Sequence, residues 1–169
     1  MTGMLAVLLA LQANVQDPFQ VRIDLQALYD EISAMTLSFK TPADVDHLQA
    51  VLYTQDYTLV DEKGCHWPRS EVREESIRVF QQLPFNWMAQ AIRKVLPTPD
   101  GARTLVEMTI ERRVTDTEGR YGPQGLSHTI TEVTRFQDDW NKTDMAWKLR
   151  MRQQLGPPKV FVDRPVSWS

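Results

Sequence analysis

Cysteine is almost absent from this 169-residue chain: Cys65 stands alone. That excludes an intramolecular disulfide and any multi-cysteine zinc or iron–sulfur site. A reactive thiol would need a depressed pKa, and adjacency to His66 in sequence does not supply it. Cys65 is therefore read as a half-buried small residue at a strand end. Histidine is nearly as scarce, at 47, 66 and 128, with no pair at ligand spacing, so no metal site is expected. The seven glycines never form Gly-x-Gly-x-x-Gly, a phosphate loop or Gly-x-Ser-x-Gly. Hydride and phosphoryl transfer are unsupported, and any chemistry is expected to be cofactor-free. An excess of basic charge is missing too: 19 Lys and Arg face 22 Asp and Glu, without a basic stripe. Nucleic acid is not an expected partner.

A long apolar run is also lacking. The stretch 4–11, within MTGMLAVLLALQA, is too short to span a bilayer as a helix. It ends shortly before Ala13 and the polar NVQD, as a secretory signal would, yet no Lys or Arg precedes it. Residues 1–16 are read as a signal peptide, implying export, or as a short apolar helix of a cytoplasmic protein.

What is present is one domain's worth of chain, able to bury roughly two thirds of its unfolded surface. Hydrophobic residues make up 42%, with 5 Trp, 6 Phe and 4 Tyr, the composition of a globular protein. Asp17 and Pro18 form a helix start. Val21, Leu25, Leu28, Ile32, Met35 and Phe39 then recur at three- and four-residue spacing, predicting an amphipathic helix. Thr41 and Pro42 repeat the signal ahead of Val45, Leu48 and Leu52. Residues 57–60 read as a short strand closing through a turn at Gly64, after which Trp67 and Pro68 break the chain. Ser70 is placed as the cap of a third helix carrying Val72, Ile77, Val79 and Phe80, which Pro84 stops. The stretch 85–96 fits a helix end and a strand equally.

Beyond the turn at Pro97, Pro99, Asp100 and Gly101 the period changes to two. Val106, Met108, Ile110 and Val114 share one face, and Glu107, Thr109, Glu111 and Arg113 the other. EGRYGPQG is a loop, and His128, Ile130, Glu132, Thr134 and Phe136 lie in phase on the next strand. Trp140 keeps that phase if no bulge intervenes. NKTDM makes a hairpin break, and Met145, Trp147, Leu149 and Met151 alternate with Lys148, Arg150 and Arg152 on the return. Cross-strand packing alone accounts for tryptophans on either side of a hairpin turn.

Helices followed by long antiparallel strands make an α+β pattern. Within it, DYTLVDEKGCHWPRSEV and, later, TRFQDDWNKTDMAWKLRMRQQ resemble the nuclear transport factor 2-like superfamily, particularly its SnoaL-like and ketosteroid-isomerase-like bacterial members. The closing-hairpin pattern D-x-W-x-K-x-D-x-x-W is supplied by Asp138, Trp140, Lys142, Asp144 and Trp147. The turn departs from the usual Asp-Gly, since Met145 and Ala146 follow Asp144. The resemblance covers about residues 18–155 and implies a cone: a curved antiparallel sheet wrapped around N-terminal helices, enclosing a pocket beside the long first helix. It also implies a homodimer through the outer face of the sheet, where Glu107, Glu111 and Arg113 would make a wet interface. The domain is set at 17–155, with 156–169 as a proline-punctuated tail in which 160–162 could add an edge strand.

Within the implied cone, His128 and Glu132 point inward with Ile130 and Phe136. Four strand residues span about 13 Å, so the two cannot touch within the strand. Arg112 shares the inward phase on the neighbouring strand, and an ion pair to Glu132 would be its structural explanation. Asp61 ends the first strand where several enzymes of the resembled family place pocket polar groups, although DEKG argues directly for a turn-capping aspartate. Asp61, His128 and Glu132 are thus the catalytic candidates, and Tyr57, Trp67, Arg112, Trp140 and Trp147 the ligand-contacting ones. His47 is expected to face solvent. Three readings follow: a domain binding a small apolar molecule, a cofactor-free lyase, isomerase or cyclase with His128 or Asp61 as base, and a non-catalytic dimeric interaction domain.

Overall fold

The computed structural model describes residues 16–82, 85–143 and 146–163. The apolar run at 4–11, Pro84, Asp144, Met145 and Trp168 lie outside the described residues. Among the described residues three helices, α1 (Pro18–Leu37), α2 (Pro42–Leu52) and α3 (Arg69–Gln82), accompany seven strands. These are β1 (Tyr53–Val60), β2 (His66–Pro68), β3 (Trp87–Thr98), β4 (Gly101–Thr115), β5 (Ser127–Lys142), β6 (Trp147–Gln154) and β7 (Lys159–Val162).

The helix starts lie where the sequence places them. Asp17 accepts the Phe19 N–H at 2.9 Å, with Pro18 in the first turn. Thr41 and Asp44 form a capping box ahead of α2. Such a cap stabilises a helix by about 1 kcal/mol. α3 begins at Arg69, two residues earlier than a cap at Ser70 implies, which puts Ser70 inside its first turn. Trp67 and Pro68 do not simply break the chain: with His66 they form β2, antiparallel to β1. Cys65, just before it, is exposed rather than half-buried, because the turn projects from the sheet. Of the two readings for 85–96, the strand is realised, as β3.

The sheet is curved and unclosed, in the order β2-β1-β6-β5-β4-β3, with β7 added to β5. One pairing departs from the antiparallel expectation, since β1 and β6 run parallel. Local alternation predicts a strand but not the direction of a partner almost a hundred residues away. β5 is the spine: it pairs with β4 along its whole length, then with β6 over Phe136–Lys142 and β7 over Ile130–Val133 on its other edge. The expected edge strand at 160–162 is therefore present. No bulge interrupts the β4–β5 register, so Trp140 stays in phase with His128 and Phe136 on the concave face.

β6 does contain a bulge. Trp140 pairs with Leu149 but Asp139 with Met151, leaving Arg150 as the extra residue. The alternation flips there: Met151 leaves the inner face predicted for it, and Arg152, opposite Asp138, takes that face. The core lies between α1, α2 and the concave sheet, with Leu25, Tyr29, Val106, Trp140 and Leu149 among its most buried side chains. Gly101 is required by its neighbour, because a Cβ there would lie 1.8 Å from the Trp140 carbonyl oxygen. α1 also lies along β3, where Gln26 accepts from the Ile92 N–H and donates to the Gln90 carbonyl, and Arg22 donates to the Ile92 carbonyl.

Candidate functional site

The three helices and the concave sheet enclose a cavity of about 580 Å³. Ile32, Thr36 and Phe39 come from α1 and its exit, Val45, Leu48 and Gln49 from α2, and Val72, Ser76, Val79 and Phe80 from one side of α3. Leu59 and Tyr53 of β1, Phe85, Met88 and Gln90 complete the wall. Helical spacing of apolar residues, which alone would predict solid packing, here leaves a void because three helices diverge over a curved sheet. The volume and the apolar lining with a few convergent polar groups are those of a small-molecule site.

Arg152 lines this cavity and ties it to a buried network. Its Nε donates to Asp138 Oδ1 at 2.9 Å and its Nη2 to Asp138 Oδ2 at 2.6 Å, a bidentate fork. Nη2 also donates to Gln90 Oε1 at 3.0 Å. Tyr29 donates to Asp138 Oδ2 at 2.5 Å, and Trp140 Nε1 donates to Tyr29 Oη at 3.0 Å. Asp138 is wholly buried, whereas Arg152 keeps 14% of its side chain exposed. Burial opposes the Arg152 charge, but the Asp138 charge and hydrogen bonds override it and hold the guanidinium pKa well above its ordinary value. Burial first, and the Asp138 charge second, push the Tyr29 phenol well above its ordinary value, so it remains a donor.

Another stretch of the lining is polar in a different way. Asp61 lines the cavity together with Trp67, whose indole N–H reaches Asp61 Oδ2 at 3.1 Å. Asp61 Oδ1 accepts the Lys63 and Cys65 N–H groups, each at 2.9 Å. These bonds, from Cys65 first and then Trp67, lower the carboxyl pKa. The aspartate is thus turn cap and cavity residue at once.

The remaining residues singled out from the sequence are dispersed. Tyr57 is buried and stacks on Tyr53 at 3.9 Å, and it is Tyr53 that lines the cavity. Trp140 is fully engaged in the core, and Trp147 packs on the core edge with Lys142 Nζ 5.0 Å from its ring centroid. His128, Glu132 and Arg112 lie towards the far end of β4 and β5. Arg112 and Glu132 form the expected ion pair at 3.1 Å and line a shallower depression of about 300 Å³ with the loop after β4. His128 Nδ1 meets Asp163 Oδ2 at 2.6 Å, and Gly122 covers the ring so closely that a Cβ there would come within 2.7 Å. His128 Nε2 and Arg112 Nε are buried without a hydrogen-bond partner among the described residues. Asp61 and Trp67 therefore belong to the large cavity, and His128, Glu132 and Arg112 to a second locality.

No family model and no curated protein matches this sequence. Solved structures do match. A Kribbella flavida protein aligns with a TM-score of 0.59 at 16% identity, over 85% of this chain and 95% of that one. A proposed scytalone dehydratase from Novosphingobium aromaticivorans aligns at 0.54 and 12% identity, over 85% and 87%. A nuclear transport factor 2-like protein from Cytophaga hutchinsonii aligns at 0.50 and 15% identity, over 84% of this chain and 100% of its own. The chain has the nuclear transport factor 2-like fold. At these identities the likeness concerns architecture alone.

Within the nuclear transport factor 2-like cone, sequence reasoning missed Arg152, Tyr53, Gln90 and Tyr29. Arg152 was hidden by the bulge at Arg150, and Gln90 by the ambiguity of 85–96. Tyr29 carried a signal: it follows Leu25 by four residues and so belongs to the buried stripe of α1. Among the described residues no helix is long and apolar enough to cross a membrane.

Proposed function

We propose that this chain binds a small, largely apolar molecule in the cone cavity, through the domain 17–155. The cavity itself carries the reading: about 580 Å³, walled by aliphatic and aromatic side chains, with Arg152, Gln90 and Tyr53 as its inner polar groups. A direct test is titration with phenylnaphthylamine, a neutral dye that brightens in apolar sites. Native chain is expected to bind it saturably. Ser76→Phe, which fills the cavity from α3, is expected to weaken binding about tenfold or more, a loss of roughly 1.4 kcal/mol. His128→Ala is expected to leave it unchanged. Equal binding by the Ser76 variant would remove the reading.

A catalytic reading rests on Asp61, the one catalytic candidate on the cavity wall. Its N–H partners stabilise the anion and weaken it as a base, so it suits orienting a donor group of the ligand better than abstracting a proton. His128 and Glu132 would serve chemistry only at the far locality.

Homodimerisation through the convex face is part of the proposal. There Glu107 bridges Arg93 and Arg135, and Asp139 bridges Arg103 and Arg150, so each carboxylate is shared by two arginines and these clusters keep a net positive charge. Light scattering on the purified chain checks it. Export is proposed from the apolar run at 4–11, and the mature mass of the protein from its source decides it.

A further inference from the structure

We infer that the cavity is built for an organic acid, with an apolar body held among the helices and a carboxylate turned past Gln49 towards Arg69. The inference rests on the binding role proposed above and names the class of its ligand.

Four arginines touch the cavity or the groove behind its wall. Arg152 is neutralised by Asp138, Arg78 by Glu75 and Arg73 by Asp46. Arg69 differs. Its Nε donates to Gln49 Oε1 at 3.4 Å and its Nη1 to the Thr54 carbonyl at 3.3 Å, both neutral acceptors. Arg69 is half-buried, so its charge is partly desolvated, and among the described residues no carboxylate forms an ion pair with it, Asp46 of the same groove being taken by Arg73.

Gln49 links this cation to the cavity. Only 4% exposed, it lines both the apolar cavity and a groove of about 490 Å³ whose other walls include Asp46, Arg69, Ser70 and Arg73. The hydrogen bonds joining Gln49 to Arg69, 3.4 and 3.5 Å long, are at the weak limit of such contacts. A carboxylate would replace them with shorter, charge-assisted bonds. The Arg69 charge already reaches the cavity wall: burial raises the Tyr53 phenol pKa, while Arg152 and, more weakly, Arg69 lower it. Elsewhere the lining disfavours an acid, because Asp61 and Glu75 are negative and Arg152 is satisfied by Asp138.

The test is displacement of phenylnaphthylamine at neutral pH by two matched pairs, decanoate against decanol and naphthoate against naphthol. The pairs separate an aliphatic from an aromatic body. In native chain at least one acid should displace the dye about tenfold better than its alcohol, a difference within the range of one charge-assisted bond. Arg69→Gln should bring that pair near parity while dye affinity stays within about twofold, and Arg69→Lys should restore much of the preference. If Arg69→Gln does not fold, rising KCl on native chain should erode the same preference. Dye binding with no preference for either acid, or a preference untouched by both Arg69→Gln and salt, overturns the organic acid and leaves the cavity reading standing. Absence of dye binding together with absence of acid binding by calorimetry overturns both.

Discussion

Two ion pairs among the described residues of the concave face are solved differently. Beside the cavity, Asp138 accepts two bonds from Arg152 and one from Tyr29, and the chain continues through Trp140 and Thr104. At the far end, Arg112 and Glu132 share one bond, remain 15% and 25% exposed, and leave Arg112 Nε bondless among the described residues. The first arrangement holds a wholly buried carboxylate by saturating it. The second leaves its charges partly wet and needs less. Burying an ion pair costs desolvation that only complete hydrogen bonding offsets. The tightly bonded pair adjoins the larger cavity through Arg152, and the looser pair lines the shallow depression.

The comparison breaks if the two pairs respond alike. Asp138→Ala leaves Arg152 and Tyr29 facing a lost anion in the core, and should cost about 3–5 kcal/mol in urea unfolding. Glu132→Gln removes the partner of a half-wet arginine and should cost only about 1 kcal/mol or less. A similar loss from both would mean that burial does not set the difference. The smallest effect belongs to Asp163, whose carboxyl pKa is lowered from 3.8 by its bonds to His128 and then to the Thr129 N–H. A depressed carboxyl contributes stability above its unfolded pKa, and that contribution fades as pH falls through the folded value. Asp163→Asn should thus remove that small contribution, lowering stability slightly at neutral pH and flattening the acid limb of the stability curve below about pH 4. An unaltered acid limb would detach Asp163 from acid sensitivity.

Local rules carried the fold a long way. Asp17-Pro18 and Thr41-Pro42 marked two helix starts, and the change from a three-to-four period to a period of two separated helices from sheet. The hairpin around Trp140 and Trp147 points to the cone, and of the candidate site residues Asp61 and Trp67 line the cavity. What stayed hidden depends on events without a local signature. A single extra residue at Arg150 turns Arg152 inward, and nothing in WKLRMRQQ distinguishes a bulge from regular alternation. The parallel pairing of β1 with β6 and the Asp163 clamp on His128 are both set by distant chain. The cavity is a difference between volumes, and a sequence displays only the side chains that surround it.

Gln26 has a consequence for how copies of this protein can meet. An outer strand normally offers its free amide and carbonyl groups to any passing chain, which is how sheets fuse into aggregates. On β3 the Gln26 carboxamide occupies the Ile92 amide and the Gln90 carbonyl, and Arg22 the Ile92 carbonyl, so a helix side chain sits where a stranger's backbone would dock. At the opposite border β2 is three residues long and ends in Pro68, which lacks an amide hydrogen. The β3 and β2 borders are thereby poor templates for an added strand, which disfavours open-ended stacking through either of them.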